Sequence, residues 1–199
     1  SAEALGSKYA GRFLGTFGDA GAFSFSAAKT ISSGQGGMIA TDDEDLTDRL
    51  RELRDQGRRS QGTGGNDLHP VVGFNFKYTN LQAAVALCQM DRLADRLDHF
   101  RHRDQWYRDL LTDCPGVSLP PLDDGEEVRQ WTDILTDRRD DVVAALSDQG
   151  IGCRPFWYPL HTQAPDKASD NGFPGAMAVS YQGLWLPSSF ELTREEAAL

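Results

Sequence analysis

The amino-acid sequence predicts an α/β chain in two parts, residues 1–105 followed by a small α+β unit over 106–199. Three observations carry that reading. Residues 20–41, AGAFSFSAAKTISSGQGGMIAT, hold two short apolar runs around a Gly/Ser loop. A long helical pattern begins at Thr79, and soon after it ends the composition shifts at 114–127, CPGVSLPPLDDGEE. A helix of that length can join two domains, and boundaries gather prolines, glycines and polar residues, which puts this one near residue 105.

In chain order, residues 22–26 and 38–41 read as strands, with the glycines in the loop between them. Asp42 and Asp43 then precede Leu46, Leu50 and Leu53, spaced by four and three and closed by Gly57. That spacing predicts an amphipathic helix whose acidic start suits the positive end of the helix dipole. Residues 58–66, RRSQGTGGN, have turn composition and are expected to form a mobile loop. The pattern TNLQAAVALCQMDRLADRLDHFRHRDQWYRDLL sets Leu81, Ala84, Cys88, Leu93, Leu97 and Phe100 near one face of a single helix, with Thr79 as its N-cap. Further on, 128–135 reads as a strand, and 138–148 as a helix with Val142, Val143 and Leu146 inward and Gly150 as its stop. IGCRPFWY reads as another strand, and LTREEAAL opens a helix of barely two turns with Thr193 as its cap.

Composition bounds the function. Of 199 residues, 39% are apolar and 10% aromatic, enough for a sizeable core. No window reaches the ~18 uninterrupted apolar residues of a membrane helix. The start, SAEALGSKYAGRF, has no apolar run behind a basic one, so the expected setting is cytoplasmic. Twenty Lys and Arg against 30 Asp and Glu give a formal charge of −10, which repels nucleic acid and anionic lipid alike. The acids are 22 Asp to 8 Glu and the bases 16 Arg to 4 Lys, spread along the chain, a pattern suited to high salt. Cys88, Cys114 and Cys153 are odd in number and far apart, which excludes a disulfide framework and a paired C-x-x-C metal site. No metal is expected.

Lys29 is the first candidate for chemistry, because it follows an apolar strand and opens a loop of small residues. A lysine amine becomes a useful nucleophile when desolvation or a nearby cation depresses its pKa. Ser24 precedes it, and Ser32, Ser33, Gly34, Gly36 and Gly37 follow, small enough for hydroxyls and backbone N–H groups to approach a phosphate. A tight hairpin explains those glycines equally well. Ser26-Ala27-Ala28-Lys29 also fits the S-x-x-K signature of serine acyl-transfer enzymes, but that chemistry needs a K-T-G element and none occurs. Asn75, in Gly73-Phe74-Asn75-Phe76-Lys77-Tyr78-Thr79-Asn80, offers an amide donor to an anion, or else sits in an extended segment whose aromatics pack inward. His99 and His102 lie three apart between cationic Arg101 and Arg103, which favours a solvated face over a metal. His161 follows the stiff aromatic segment Arg154-Pro155-Phe156-Trp157-Tyr158-Pro159-Leu160, which suits a pocket wall or a packed loop.

Together these residues resemble the DegT/DnrJ/EryC1/StrS family of sugar aminotransferases, pyridoxal-phosphate enzymes of fold type I, over essentially the whole chain. Gly18 to Lys29 is similar to the family's G-D-x-G-x-F-S-F-x-x-x-K, and Gly34-Gln35-Gly36-Gly37 to its G-E-G-G. Gly73 to Lys77 with Thr79 to Ala84 is similar to G-[YF]-N-[YF]-[RK]-x-[TS]-x-[LI]-Q-A-A. Ser1 to Gly6 resembles the end of E-D-x-A-x-A-x-G, while Tyr158 to His161 and Leu184 to Pro187 resemble later Y-P-x-H and L-x-L-P blocks.

The resemblance implies a partial fold type I large domain followed by a small C-terminal domain, and it implies roles. Lys29 would carry pyridoxal 5'-phosphate on its amine and then shuttle a proton between cofactor and substrate. Ser24 would bind the cofactor phosphate, and Asn75 would reach the phosphate held by the neighbouring subunit, making the site a property of a homodimer. Glu3 stands where many members carry a glutamine against the pyridine ring, and His161 would lie near the sugar nucleotide. The implied reaction moves an amino group, usually from glutamate, to a keto group of a nucleotide-linked sugar in polysaccharide or surface-glycan biosynthesis. Dehydratases of the family replace the lysine with histidine, so Lys29 discriminates against them.

The chain also departs from the pattern. The acidic partner of the pyridine nitrogen falls before Ser1, and the half of the large domain with its Gly-Thr phosphate loop is absent. Gln35 replaces a glutamate and Lys77 the commoner arginine. The expectation is a fragment, a split gene or one part of a longer enzyme, inactive alone; the competing reading is a non-catalytic interaction module.

Overall fold

A computed structural model describes residues 1–59, 67–122, 125–169 and 172–199. Of the loop expected at 58–66, residues 60–66 lie outside the described residues. The chain divides into two compact units, Ser1–Ala94 and Asp95–Leu199.

The first unit opens on a small hairpin, β1 (Lys8–Tyr9) against β2 (Arg12–Phe13). Its two central residues, Ala10 and Gly11, both have positive φ, the turn that matches the natural twist of a two-residue hairpin. A second antiparallel pair follows, β3 (Gly21–Ser24) with β4 (Gly37–Ala40), Phe23 opposite Met38 and Ser24 opposite Gly37. All four residues of β4 are exposed. Helix α1 (Glu44–Arg54) begins where the sequence places it, with the Asp43 carboxylate accepting from the Leu46 amide at 2.9 Å. Helix α2 (Asn80–Met90) is capped reciprocally by Thr79 and Gln82, each side chain meeting the other's backbone N–H.

The single long helix expected from Thr79 is two helices. Helix α2 ends at Met90 and α3 (Leu93–Leu111) starts after Asp91 and Arg92. The Arg92 amide turns back to the Gln89 carbonyl, three residues earlier, so the ladder tightens and breaks without a glycine or proline to announce it. The unit division also falls earlier than residue 105. The buried residues of α3 are Phe100, Arg103, Asp104 and Tyr107, and the side chains of Arg103 and Tyr107 hydrogen-bond to Arg129, Gln130, Thr132, Pro187 and Ser188 of the second unit.

The second unit holds β5 (Asp133–Leu135), helix α4 (Arg139–Asp148), β6 (Arg154–Pro155), helix α5 (Pro174–Gln182), β7 (Gly183–Trp185) and the short helix α6 (Arg194–Ala197). Its sheet runs β5-β7-β6, antiparallel throughout. Every strand pair among the described residues is antiparallel, so the α/β expectation survives as a mixture of helices and small sheets. The core gathers Phe100, Tyr107, Val128, Ile134, Leu184 and Trp185. Helix α4 ends at a positive-φ Gly150 as expected, with Val142, Val143 and Leu146 half-buried. Among the described residues no helix is long and apolar enough to cross a membrane.

Both strands expected here are shorter than their patterns. Burial alternates from Val128 to Thr136, yet only Asp133–Leu135 pairs as a strand. The reason is Arg103, which is fully buried. Its guanidinium donates to the carbonyls of Arg129 (2.9 Å), Gln130 (3.0 Å) and Ser188 (3.0 Å) and to the Thr132 hydroxyl (3.3 Å). A side chain thus satisfies backbone that a neighbouring strand would otherwise pair. Burial lowers the pKa of Arg103 to about 10 and raises that of neighbouring Tyr107, whose hydroxyl donates to the Pro187 carbonyl, to about 12. In 151–158, Pro155 has no N–H to give a ladder, which confines pairing to Arg154–Pro155 and the Phe156 amide bond to Gly183.

Candidate functional site

The β3–β4 hairpin delivers Ser24 to the start of a folded loop. The Phe25 amide donates to the Gly36 carbonyl at 2.9 Å, and the Ser33 amide returns to Phe25 at 3.0 Å, so residues 25–36 close on themselves. Helix α2 holds the loop from outside: Gln82 donates to the Gln35 carbonyl at 3.0 Å, and the Gln89 side-chain oxygen accepts from the Ser32 amide at 3.2 Å. Thr30 and Ile31 are buried beneath it. The Lys29 amide bonds the Ser26 carbonyl at 3.0 Å, which places the lysine in a tight turn rather than on a free tip.

Lys29 Nζ meets Glu3 Oε1 at 2.6 Å, and the lysine side chain is only 14% exposed. Sequence reasoning put Glu3 and Lys29 in one site but expected Glu3 against a cofactor ring; the structure places its carboxylate on the lysine amine. Ser24 and Lys29 line the same hollow, together with Phe23, Phe25, Thr30 and Ile31. Ser24 Oγ lies 3.4 Å from both the Ser26 amide and the Ser26 hydroxyl, bonds long enough for a better acceptor to displace. An amine beside hydroxyls and backbone N–H groups is a donor set that fits an aldehyde bearing a phosphate, so pyridoxal phosphate matches these residues chemically. The hollow itself, about 10 Å³, has room for a single water. A larger open hollow of about 600 Å³, lined by Tyr9, Leu14, Phe17 and Ala22 among others, has no lysine, carboxylate or histidine in its wall.

Asn75 is placed by a different part of the same unit. It sits opposite Asp55 in an isolated antiparallel bridge, flanked by backbone bonds from Phe74 to Leu53 (2.7 Å) and from Phe76 to Arg54 (2.9 Å). Two glycines permit that approach. Gly57 has φ +80°, and a Cβ there would overlap the Val71 carbonyl, while a Cβ on Gly73 would overlap the Gly57 amide. The Asn75 side chain is exposed, and so are the Phe74 and Phe76 rings, which stack on each other instead of packing into a core.

Asp55 is the residue that sequence reasoning missed. Lys77 and Arg58 both reach its carboxylate, at 3.0 and 2.8 Å, and the Lys77 hydrogen bond, followed by that of Arg58, holds its pKa below the usual aspartate range against the effect of burial. An acid at the end of a helix opposes the helix dipole, and that misplaced charge was the available signal.

His161 belongs to the second unit. It is buried on a 3-10 turn (Leu160–Thr162), its ring stacked on Phe173 at 4.5 Å. The aromatic segment before it packs with Trp185: Trp157 meets that ring at 5.1 Å and Phe156 at 6.2 Å, both edge-on, while Arg154 lies over Trp157 at 4.0 Å. Half of Trp157 stays exposed.

Comparison with known proteins bears on the whole chain. Residues 1–198 match the model of the DegT/DnrJ/EryC1/StrS aminotransferase family. GDP-perosamine synthase of Escherichia coli O157:H7 is 34% identical over 98% of this chain and 53% of its own length. A putative pyridoxal phosphate-dependent aminotransferase of Bacillus subtilis, EpsN, is 31% identical over 98% of this chain and 52% of its own. A DegT DnrJ EryC1 StrS aminotransferase from Brucella abortus superposes with a TM-score of 0.87 at 29% identity, covering 98% of this chain and 52% of that one. The chain spans about half the length of the curated relatives it matches.

Proposed function

The chain belongs to the DegT/DnrJ/EryC1/StrS aminotransferase family, and on that premise we propose that it carries the lysine-bearing half of a pyridoxal-phosphate-dependent sugar aminotransferase. The reaction would pass an amino group from an amino acid, glutamate by expectation, to a keto group of a nucleotide-linked sugar, for polysaccharide or surface-glycan biosynthesis. The names of the relatives support this substrate class, a GDP-linked sugar among them. When bound, the cofactor supplies an electron sink for the carbanion that forms as the substrate C–H bond breaks.

The observation that carries the reading is the Lys29–Glu3 pair. The Glu3 carboxylate, 2.6 Å from Nζ, holds the amine in one place beside the hollow that Ser24 also lines. Lys29 would then take and return the proton at the reacting carbon. Ser24, with its weakly engaged hydroxyl, would donate to the cofactor phosphate, and Asn75 would donate its amide to the phosphate held by a neighbouring subunit. His161 would face the sugar nucleotide. A second reading, a non-catalytic interaction module, draws support from the single-water hollow beside Lys29 and from the exposed apolar residues of the first unit.

Borohydride reduction of the chain with pyridoxal phosphate, followed by peptide mass spectrometry, separates the two. A phosphopyridoxyl adduct confined to Lys29 is expected. No adduct, or adducts scattered over all four lysines, in a chain whose circular dichroism shows it folded, would leave the interaction module.

A further inference from the structure

Asn75 is placed by its neighbours, and the firmest of them is a buried carboxylate. Directly opposed residues of an antiparallel pair project to the same face, and so do residues two apart on one strand. Asp55, Asn75 and Lys77 therefore share one face of the bridge. Phe74 and Phe76 take the other, where their rings stack at 4.9 Å and 7°. Asp55 is 6% exposed and ties Lys77 to its own Oδ1, so an ion pair crosses the bridge beside Asn75. A slip of one residue would turn Asn75 to the aromatic face. It would also pull Lys77 off the carboxylate, and the facing Gly57 and Gly73 leave no slack for it.

We propose that Asp55 is a positioning residue for Asn75: by holding Lys77 across the bridge it fixes the register and direction of the Asn75 amide, so that the amide meets a phosphate already oriented. The proposal rests on the reading of Asn75 as a phosphate donor. A donor fixed before binding gives up little further freedom when the anion arrives, which is the benefit of preorganisation.

The test uses the full chain, isotope-labelled for NMR, with Asp55→Asn, Lys77→Met and Lys77→Arg. In the first two, the Asn75 side-chain amide resonances move and exchange of the Phe76 amide quickens by about tenfold or more. In Lys77→Arg both return to the unaltered values, because a guanidinium reaches the same carboxylate. Pyridoxal phosphate retained after desalting falls in the first two variants and not in the third. Unchanged Asn75 resonances and Phe76 exchange in Asp55→Asn overturn the proposal, and so does Lys77→Arg behaving like Lys77→Met. Protection of the α2 amides is monitored alongside; where Asp55→Asn loses that as well, the contrast between the two Lys77 variants, at a half-exposed position, decides. Asn75→Ala separates this inference from the reading beneath it: cofactor retained in that variant removes the phosphate role, and with it the purpose assigned to Asp55.

Discussion

Replacing Lys29 with alanine will abolish the trapped phosphopyridoxyl adduct while leaving the chain folded. The two halves of that expectation come from the same contact. Glu3 is half-exposed, so removing the lysine leaves no buried, uncompensated charge, and an ion pair of this kind contributes at most about 1 kcal/mol. The loop keeps its shape through backbone bonds at Phe25, Ser33 and Gly36 and through Gln82 and Gln89, none of which involves the lysine side chain. The thermal midpoint should therefore move by no more than about 8 °C. An adduct that persists in Lys29→Ala would show that another amine carries the cofactor, and a collapse of the fold would show that the lysine is structural.

Arg103→Ala is expected to do the reverse, destabilising the fold of the second unit, which holds all of the arginine's hydrogen-bond partners. Its guanidinium, fully buried, is the shared partner of three carbonyls and one hydroxyl. Breaking such a site leaves several acceptors unpaired and a void, a loss of about 3–5 kcal/mol. Whole domains are stable by only about 5–15 kcal/mol. Arg103→Lys should recover little, because one ammonium cannot span acceptors that a planar fork meets in several directions. Denaturant titration reads the outcome cleanly: Trp106, Trp131, Trp157 and Trp185 all lie in the second unit, so their fluorescence reports on it alone. An unchanged midpoint in Arg103→Ala would mean that the extended stretch from Val128 is held by something other than this side chain.

Much of the secondary structure was legible because its signals are local. Asp43, the leucine spacing and Gly57 bracket α1, and Thr79, Thr193 and Gly150 mark helix ends through bonds to residues three or four away. What escaped depends on distant partners. The α2–α3 break is a change in hydrogen-bond pitch with no breaker residue. The short β5 reflects an arginine 26 residues from its Arg129 acceptor that takes over backbone carbonyls. The same division runs through the candidate site. Lys29, Ser24 and Asn75 stood out by residue type and motif, whereas the Lys29–Glu3 contact spans 26 residues and the Asp55–Lys77 tie joins a helix end to an extended segment. No periodicity encodes either.

The exposed β4 strand sets how the molecule behaves in crowded solution. Met38 and Ile39 are half-exposed on a two-stranded pair, a sheet too small to bury its own faces and, among the described residues, with no further strand at either edge. What keeps two such faces apart is the net charge of −10, whose reach is about 10 Å at 0.1 M salt and about 3 Å at 1 M. Salt would then act in opposite senses. It relieves repulsion among carboxylates within one chain, so melting should rise from low to molar salt, and equal or greater stability in low salt would sink the high-salt reading of the surface. Between chains the same screening removes the barrier to contact, so the osmotic second virial coefficient measured by light scattering should fall over that range. Screening thereby sets colloidal stability, through the exposed strand, against conformational stability, through the carboxylates.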